Sequence, residues 1–322
     1  MKFFPLFVIS SVILLSTAFA QTKTYKNEAG FQTDNDGILA QGSDRYYTAG
    51  DFFFFHHALK INHPDSSKLE NKVLGFEIGQ KIFTPQTAFL DMPNAERYID
   101  RPFAGYLYFG TTLNLLYKNE SNLKLQGQLG FIGQYSYGKQ IQEFIHRTLG
   151  FYKPAGWQYQ VQNDFEVNLS AEYNRLLARG SSVDLTFNSN AALGTGFTNA
   201  GTGVTARFGK FNQLFNSIST GSTVSRSGKS KPLNDGEFFF YLKPSISFIA
   251  YNATIQGSMF EKQPGVNEIR GTKQPVMLSQ QLGGDFVKGH WIIDLSAVFQ
   301  TRETKEMVQA HQWGSVSGIY RF

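Results

Sequence analysis

Residues 157–174 read WQYQVQNDFEVNLSAEYN, and their alternation decides the fold class. Apolar residues occupy every second position, with Asn163 as one polar exception, and the intervening positions are all polar. Successive side chains of a strand point to opposite faces of the sheet. The stretch therefore predicts one long strand with an apolar face and a polar face. Residues 123–131 and 291–299 repeat this pattern.

About twelve such segments follow one another, which predicts an all-β, antiparallel transmembrane barrel. In a soluble sandwich the apolar faces would pack on a second sheet. Long strands, aromatics near strand ends and a C-terminal VSGIYRF, which resembles the last strand of outer-membrane barrels, favour the barrel. The long connection 210–236 leaves the strand count open there. The predicted strands are 28–36, 45–59, 73–84, 102–118, 122–132, 157–175, 182–193, 198–209, 237–252, 274–287, 290–303 and 310–322.

The composition agrees with an exported barrel. Aromatic residues make up 15%, charged residues 17%, and mean hydropathy is −0.26. The absence of cysteine excludes a disulfide framework and a thiolate site, and a net charge of +5 is too small to indicate nucleic acid. Lys2, an apolar run and Ala18-Phe19-Ala20 predict a signal peptide at 1–20. We expect residues 21–322 to form one monomeric barrel in a Gram-negative outer membrane.

Three polar segments are expected at one rim, because strand parity directs loops 37–44, 85–101 and 133–156 outward. The first contains Asn35 and Asp36, whose oxygens are ligands that calcium prefers. The third contains a short helix with Gln142 and His146 at i and i+4, hence on one face. Histidine suits a general base, and a cation near an ester carbonyl would stabilise the developing oxyanion.

Each segment also has a plain structural interpretation. Asn-Asp-Gly at 35–37 is a turn signal, and Asp100-Arg101-Pro102 is compatible with an ion-paired loop. The helix has an apolar side that we expect to pack on the barrel, formed by Ile141, Phe144, Ile145 and Leu149.

Taken in order, these pieces resemble the lipid A 3′-O-deacylase (LpxR) family of outer-membrane enzymes. The matching pieces are Asn35-Asp36, Asp44-Arg45-Tyr46-Tyr47-Thr48-Ala49-Gly50, Phe83-Thr84-Pro85, Asp100-Arg101-Pro102-Phe103-Ala104-Gly105, Gly130-Phe131-Ile132-Gly133, Gln142-x-x-x-His146-Arg147 and Gly156-Trp157-Gln158. The resemblance implies a site between the barrel wall and the loop helix, and Ca²⁺-dependent hydrolysis of the 3′-acyloxyacyl ester of lipid A in the outer leaflet.

The resemblance also assigns roles by position. His146 would activate water, with Gln142 beside it, while Asn35 and Asp36 would hold calcium and Thr48 would line the site. Gly37 stands where relatives can carry a further acid, and loop 86–95 lacks a lysine that relatives can carry. Residues that we expect to supply the missing charge toward a lipid A phosphate are Arg101, Arg147 and Lys153, with Lys139 and Arg97 as further candidates.

Two other functions stay open. One is a passive channel or a non-catalytic barrel, which would not need the polar residues at the rim. The strand count does not decide this, because twelve strands lie between small barrels filled by side chains and large barrels with a water-filled pore. An outer-membrane phospholipase would act on a similar acyl ester, but such barrels use a serine paired with a histidine on the barrel wall, whereas His146 is predicted on a loop helix.

Overall fold

Twelve antiparallel strands close into one barrel. The structure is a computed structural model that describes residues 25–39, 44–62, 66–221, 223–226 and 230–322, so the predicted signal peptide at 1–20 lies outside the described residues. The strands are β1 Asn27–Asn35, β2 Tyr46–Ala58, β3 Leu69–Thr84, β4 Ala104–Tyr117, β5 Ser121–Ile132, β6 Asp164–Arg179, β7 Val183–Gly194, β8 Phe197–Lys210, β9 Glu237–Asn252, β10 Val276–Lys288, β11 Trp291–Gln300 and β12 His311–Arg321.

The predicted count and order of the strands are confirmed. Each strand pairs with its chain neighbours, and β1 pairs with β12 from Glu28 opposite Arg321 to Asn35 opposite Gly314, which closes the sheet. Closure leaves no sheet edge with unpaired backbone groups. The largest error in a boundary is at β6, which begins at Asp164 and not at Trp157, because Trp157–Tyr159 form a turn of 3₁₀ helix.

The alternation in sequence becomes an alternation of environment. On β6, Phe165, Val167 and Leu169 are exposed on the outer face, while Glu166 and Asn168 are buried inside. The residues that face outward on β11 are likewise exposed, among them Trp291 and Leu295. An exposed apolar band around a closed barrel is the surface that a lipid bilayer covers.

The two ends of the barrel differ in their connections. The end with both termini has tight turns after β4, β6 and β10. The opposite end carries the longer segments, including helix α1 (Gly138–Leu149) and the short helix α2 (Ala253–Gln256). No helix among the described residues is long and apolar enough to cross a membrane.

The barrel interior is filled at both ends. Near the end that carries α1, inward-facing aromatic side chains form a cluster that includes Tyr47, Tyr106, Tyr108 and Trp313. At the other end, the segment after β8 folds inward and buries Phe211, Leu214 and Phe215. The predicted long connection therefore exists without changing the strand count, but it is packed within the barrel.

Candidate active site

Helix α1 lies against the outer wall of the barrel, beside β3 and β4. Two glycines permit the close approach at its first turn: a Cβ on Gly105 would lie 3.2 Å from the Gly138 Cα, and a Cβ on Gly138 would lie 3.1 Å from the Gly105 Cα. The Gln80 side chain of β3 donates a 2.5 Å hydrogen bond to the Ser136 carbonyl just before the helix. An apolar cluster that includes Ile82 and Trp157 fills the space beneath it.

The buried face of α1 presents Gln142 and His146 to Asp44, which precedes β2. His146 Nε2 lies 2.7 Å from Asp44 Oδ2, and Gln142 Nε2 donates to the same oxygen at 2.5 Å. The other ring nitrogen, Nδ1, lies 2.6 Å from the Tyr152 carbonyl oxygen. A carbonyl can only accept, so Nδ1 carries a proton; the Asp44 carboxylate also only accepts, so the 2.7 Å contact holds a second proton between it and Nε2, and Nε2 is the nitrogen that can gain or lose a proton.

Trp157 fixes the orientation of the Gln142 amide. Its indole Nε1 donates to Gln142 Oε1 at 2.7 Å, and an indole N–H can only donate. The amide nitrogen of Gln142 must therefore face Asp44. Trp157 is 2% exposed and packs on Phe103, so the support is rigid. The alternation at residues 157–161 predicted that Trp157 faces lipid from a strand, so this role was not predicted. Trp157 instead lies in the site.

A second acidic residue, the buried Asp36, lies close to half-buried Asp44. Burial raises the pKa of the Asp36 carboxyl to about 8, and the nearby Asp44 carboxylate adds to the increase. The Arg45 backbone N–H donates to Asp36 Oδ2 at 2.6 Å, and Asn35 Oδ1 accepts from the Gly37 N–H at 2.7 Å. The Asn35-Asp36-Gly37 segment thus forms the predicted turn and also brings Asp36 into the site.

The oxygen atoms here fit a hard cation. No three His, Asp or Glu side chains in the described part of the chain converge as a metal-binding cluster. Buried Asp36 nevertheless lies near half-buried Asp44, whose charge adds to the raised pKa of the Asp36 carboxyl, and the buried Tyr152 hydroxyl also lies near Asp44. Burial, followed by the charge of Asp44, raises the pKa of that phenol. Carboxylate, amide and hydroxyl oxygens suit Ca²⁺ better than softer metals.

Thr48 lies beside this group on the outer wall. A bulge in β2 occurs between Tyr47 and Ala49, and Ala49 pairs with Asn35 across β1. The Thr48 hydroxyl lies 2.7 Å from the hydroxyl of Thr84. Bulges commonly redirect a side chain next to a functional site. This one places buried Thr48 next to the Asn35-Asp36 turn.

Comparison with known proteins identifies the group to which this chain belongs. The family model described as outer membrane protein LpxR matches residues 6–322. The chain belongs to the LpxR family. The resemblance seen in the sequence is thereby confirmed, and family membership places the barrel in the outer membrane.

The solved structure of LpxR from Salmonella typhimurium shares the fold. It is 20% identical, with a TM-score of 0.72 over 92% of this chain and 100% of that one. The translocator domain of the autotransporter NalP from Neisseria meningitidis is more distant, at 11% identity, a TM-score of 0.42 and coverage of 92% and 89%. The β domain of the Bordetella autotransporter BrkA is 10% identical, with a TM-score of 0.45 over 93% of this chain and 100% of that one. No curated protein sequence matches the chain.

Among the basic residues expected to bind substrate in this LpxR-family barrel, Arg101 has another role. It is fully buried, its Nε donates to Glu303 at 2.7 Å, and its guanidinium lies 4.1 Å from the centre of the Phe83 ring. A side chain with no exposed surface has no face for a lipid phosphate, so the structure does not support that contact. It supports the ion-paired loop. Arg147 and Lys153 are exposed beside α1.

The apolar side of α1 was predicted to pack on the barrel, and this is confirmed for Ile141, which packs on the cluster that includes Ile82 and Trp157, but is wrong for Phe144 and Leu149. Phe144 and Leu149 are exposed, together with Phe151 just after the helix, while the polar residues Gln142 and His146 face the wall. Gln142 and His146 face the wall because they contact Asp44 and Trp157 there, whereas Phe144 and Leu149 point away from it.

Three residues of the site were missed as functional residues. Asp44 was quoted only as part of a motif. Its position just before a strand, at the rim that carries the other polar residues, could have indicated that it belongs to the site. Trp157 was assigned to a strand. Tyr152 contributes its backbone carbonyl, and no sequence pattern could indicate that contact.

Proposed function

We propose that this LpxR-family barrel is a lipid A deacylase that hydrolyses the 3′-acyloxyacyl ester in the outer leaflet. The observation that carries the proposal is the His146 ring, fixed between a backbone carbonyl and a carboxylate on the outer wall. A structural histidine needs no second carboxylate nearby, yet Asp36 is buried there as well. The location, outside the barrel and at the loop-rich rim, suits a substrate that approaches from the membrane.

The acid–base step follows from the hydrogen bonds. With Nδ1 held by the Tyr152 carbonyl, the base form of the pair has two acceptors, Nε2 and Asp44 Oδ2, which separate so that a water lies between them; Nε2 then accepts the proton of this water as the water attacks the ester carbonyl carbon. The Asp44 carboxylate, 2.7 Å from Nε2, then stabilises the imidazolium. Gln142, held by Trp157, keeps Asp44 in place. The same proton returns to the leaving alkoxide, which completes hydrolysis.

The oxygen atoms of Asp36, Asp44, Asn35 and Tyr152 are the ones that would hold calcium. When bound there, Ca²⁺ supplies positive charge near the ester carbonyl oxygen, where negative charge develops. Thr48 borders the same space. A divalent ion held there would offset the burial and the Asp44 charge that raise the pKa of the Asp36 carboxyl.

The surroundings suit an anionic glycolipid. Phe144, Leu149 and Phe151 present apolar surface on the side of α1 that faces away from the barrel. Arg147 and Lys153 lie exposed next to them. This combination matches acyl chains joined to phosphorylated sugars, because the chains can lie on the apolar surface while the cations meet phosphate.

The test is deacylation of lipid A by the purified protein in detergent, followed by mass spectrometry. Calcium-dependent loss of the 3′ acyl chain is expected, and His146→Ala should reduce the rate at least ~100-fold with the barrel still folded. His290→Ala, which changes a histidine at the opposite end, is the matched control. Intact lipid A at every calcium concentration would refute the proposal, and release of fatty acid from glycerophospholipid alone would favour the phospholipase.

A further inference from the structure

The barrel lumen contains a cavity that has no part in the ester chemistry. Its volume is about 300 Å³, and charged side chains including Lys124, Lys243, Asp285 and Asp294 line it. Toward the extracellular end lies the inward-facing aromatic cluster, and there Tyr108 donates a 2.6 Å hydrogen bond to Glu77, which also lines the cavity. The extracellular side of the cavity is therefore bordered by packed aromatic rings.

The periplasmic side of the cavity is formed by the segment after β8. We call residues 211–221 and 223–226 the plug segment. Five of its residues line the cavity: Leu214, Ile218, Ser219, Thr220 and Gly221. It contains two turns of 3₁₀ helix, Leu214–Asn216 and Ile218–Thr220. Phe215 and Val224 pack with Ala58, Val73 and Leu116 of the surrounding wall.

Inward-facing polar side chains from several strands hold the backbone of the plug segment. Asn71 of β3 donates to the Val224 carbonyl at 2.7 Å, and Asn114 of β4 donates to the Thr220 carbonyl at 2.7 Å. Glu120, in the turn after β4, accepts from the Leu214 N–H at 2.9 Å. These contacts come from one side of the barrel.

The opposite side holds the same segment. Glu237 of β9 accepts from the N–H groups of Asn212 at 2.7 Å and Ile218 at 3.0 Å. Buried Arg207 of β8 donates to the Asn212 carbonyl at 3.1 Å and to Ser217 Oγ at 2.8 Å. The segment is therefore fixed from wall to wall across the lumen.

We propose that the plug segment seals the periplasmic mouth of this barrel and keeps the lumen closed to solutes. A connection in free solvent would have its backbone groups hydrated, whereas these groups are buried and paired with dedicated side chains. A twelve-stranded barrel is wider than the small barrels whose interior fills with wall side chains alone. The plug supplies the missing filling and makes the barrel a poor channel.

The sequence contains no cysteine, so a cysteine introduced by mutation is the only thiol that a reagent can label. Ser317→Cys introduces a near-isosteric thiol on the cavity wall, and Ser181→Cys introduces one in the exposed turn after β6. A charged, water-soluble thiosulfonate reagent is added to each folded variant in detergent, where both barrel ends are accessible. Labelling is followed by mass spectrometry. We expect the thiol at 317 to react at least ~100-fold more slowly, because reaction requires local opening of the plug.

A second arm locates the seal. In the Ser317→Cys background, residues 213–231 are replaced by a short glycine-serine linker, and labelling should accelerate at least ~10-fold. If that barrel does not fold, Asn114→Ala with Glu237→Ala serves instead, since it removes three of the plug's hydrogen bonds. Equal labelling at 317 and 181 in the intact barrel would overturn the proposal, as would slow labelling that the released plug leaves unchanged. Neither result bears on deacylation.

Discussion

The substitution Asp44→Asn tests the central contact of the site. It keeps the shape of the side chain and an acceptor oxygen, but it removes the charge that faces His146 Nε2 at 2.7 Å. A hydrogen bond to a charged group contributes about 1.5–3 kcal/mol. If the interaction acts only on the imidazolium of the transition state, the rate falls by about 13- to 160-fold, at about 1.36 kcal/mol per factor of ten.

The assay measures kcat for lipid A deacylation in detergent at saturating calcium, with calcium affinity measured separately by calorimetry. Asp91→Asn makes the same chemical change on an exposed residue of the adjacent loop and should leave kcat unchanged. Calcium affinity should also weaken, because Asp44 is one of two carboxylates in the site. A kcat within twofold of wild type at saturating calcium would refute the role assigned to Asp44.

Three further predictions concern the support of the site and its rim. Trp157→Phe removes the donor to Gln142 Oε1 and should lower kcat about 10-fold while destabilising the barrel by about 1–3 kcal/mol, measured by urea unfolding. Arg147→Ala should raise KM and leave kcat unchanged, since an exposed cation contributes uniform binding; a change in kcat alone would contradict this. Burial opposes ionisation of Glu303, but Arg101, His311 and Gln300 together outweigh it and hold the pKa below its usual range. The contribution of Glu303 to the free energy of unfolding should therefore be constant above about pH 5 and fall as the pH decreases through that lowered pKa, and Glu303→Gln should remove this contribution.

The strands could be predicted because their signal is local. Apolar and polar residues alternate with a period of two within each segment. On β6, the residues from Phe165 onward lie on the predicted faces. The boundary failed at Trp157–Tyr159, where the same alternation continues although the chain forms a 3₁₀ turn. Alternation alone cannot distinguish a lipid-facing tryptophan from one that packs beneath a loop helix.

The site could be predicted in part. Gln142 and His146 share a helix face because they are four residues apart, and this follows from helical geometry alone. Which face turns to the wall depends on partners that are distant in sequence: Gln142 meets Asp44 across 98 positions. The burial of Arg101 likewise depends on Glu303, 202 positions away. These contacts exist only after the barrel has brought the loops together.

The sequence by itself determined the antiparallel barrel of about twelve strands and the rim that carries the polar motifs, because period and parity are properties of consecutive residues. Only the tertiary structure decided that α1 turns its polar face to the wall, that Asp44 completes the site and that residues after β8 fill the lumen. Each of these depends on side chains from different strands meeting across a closed sheet, and the curvature that brings them together is absent from any single segment.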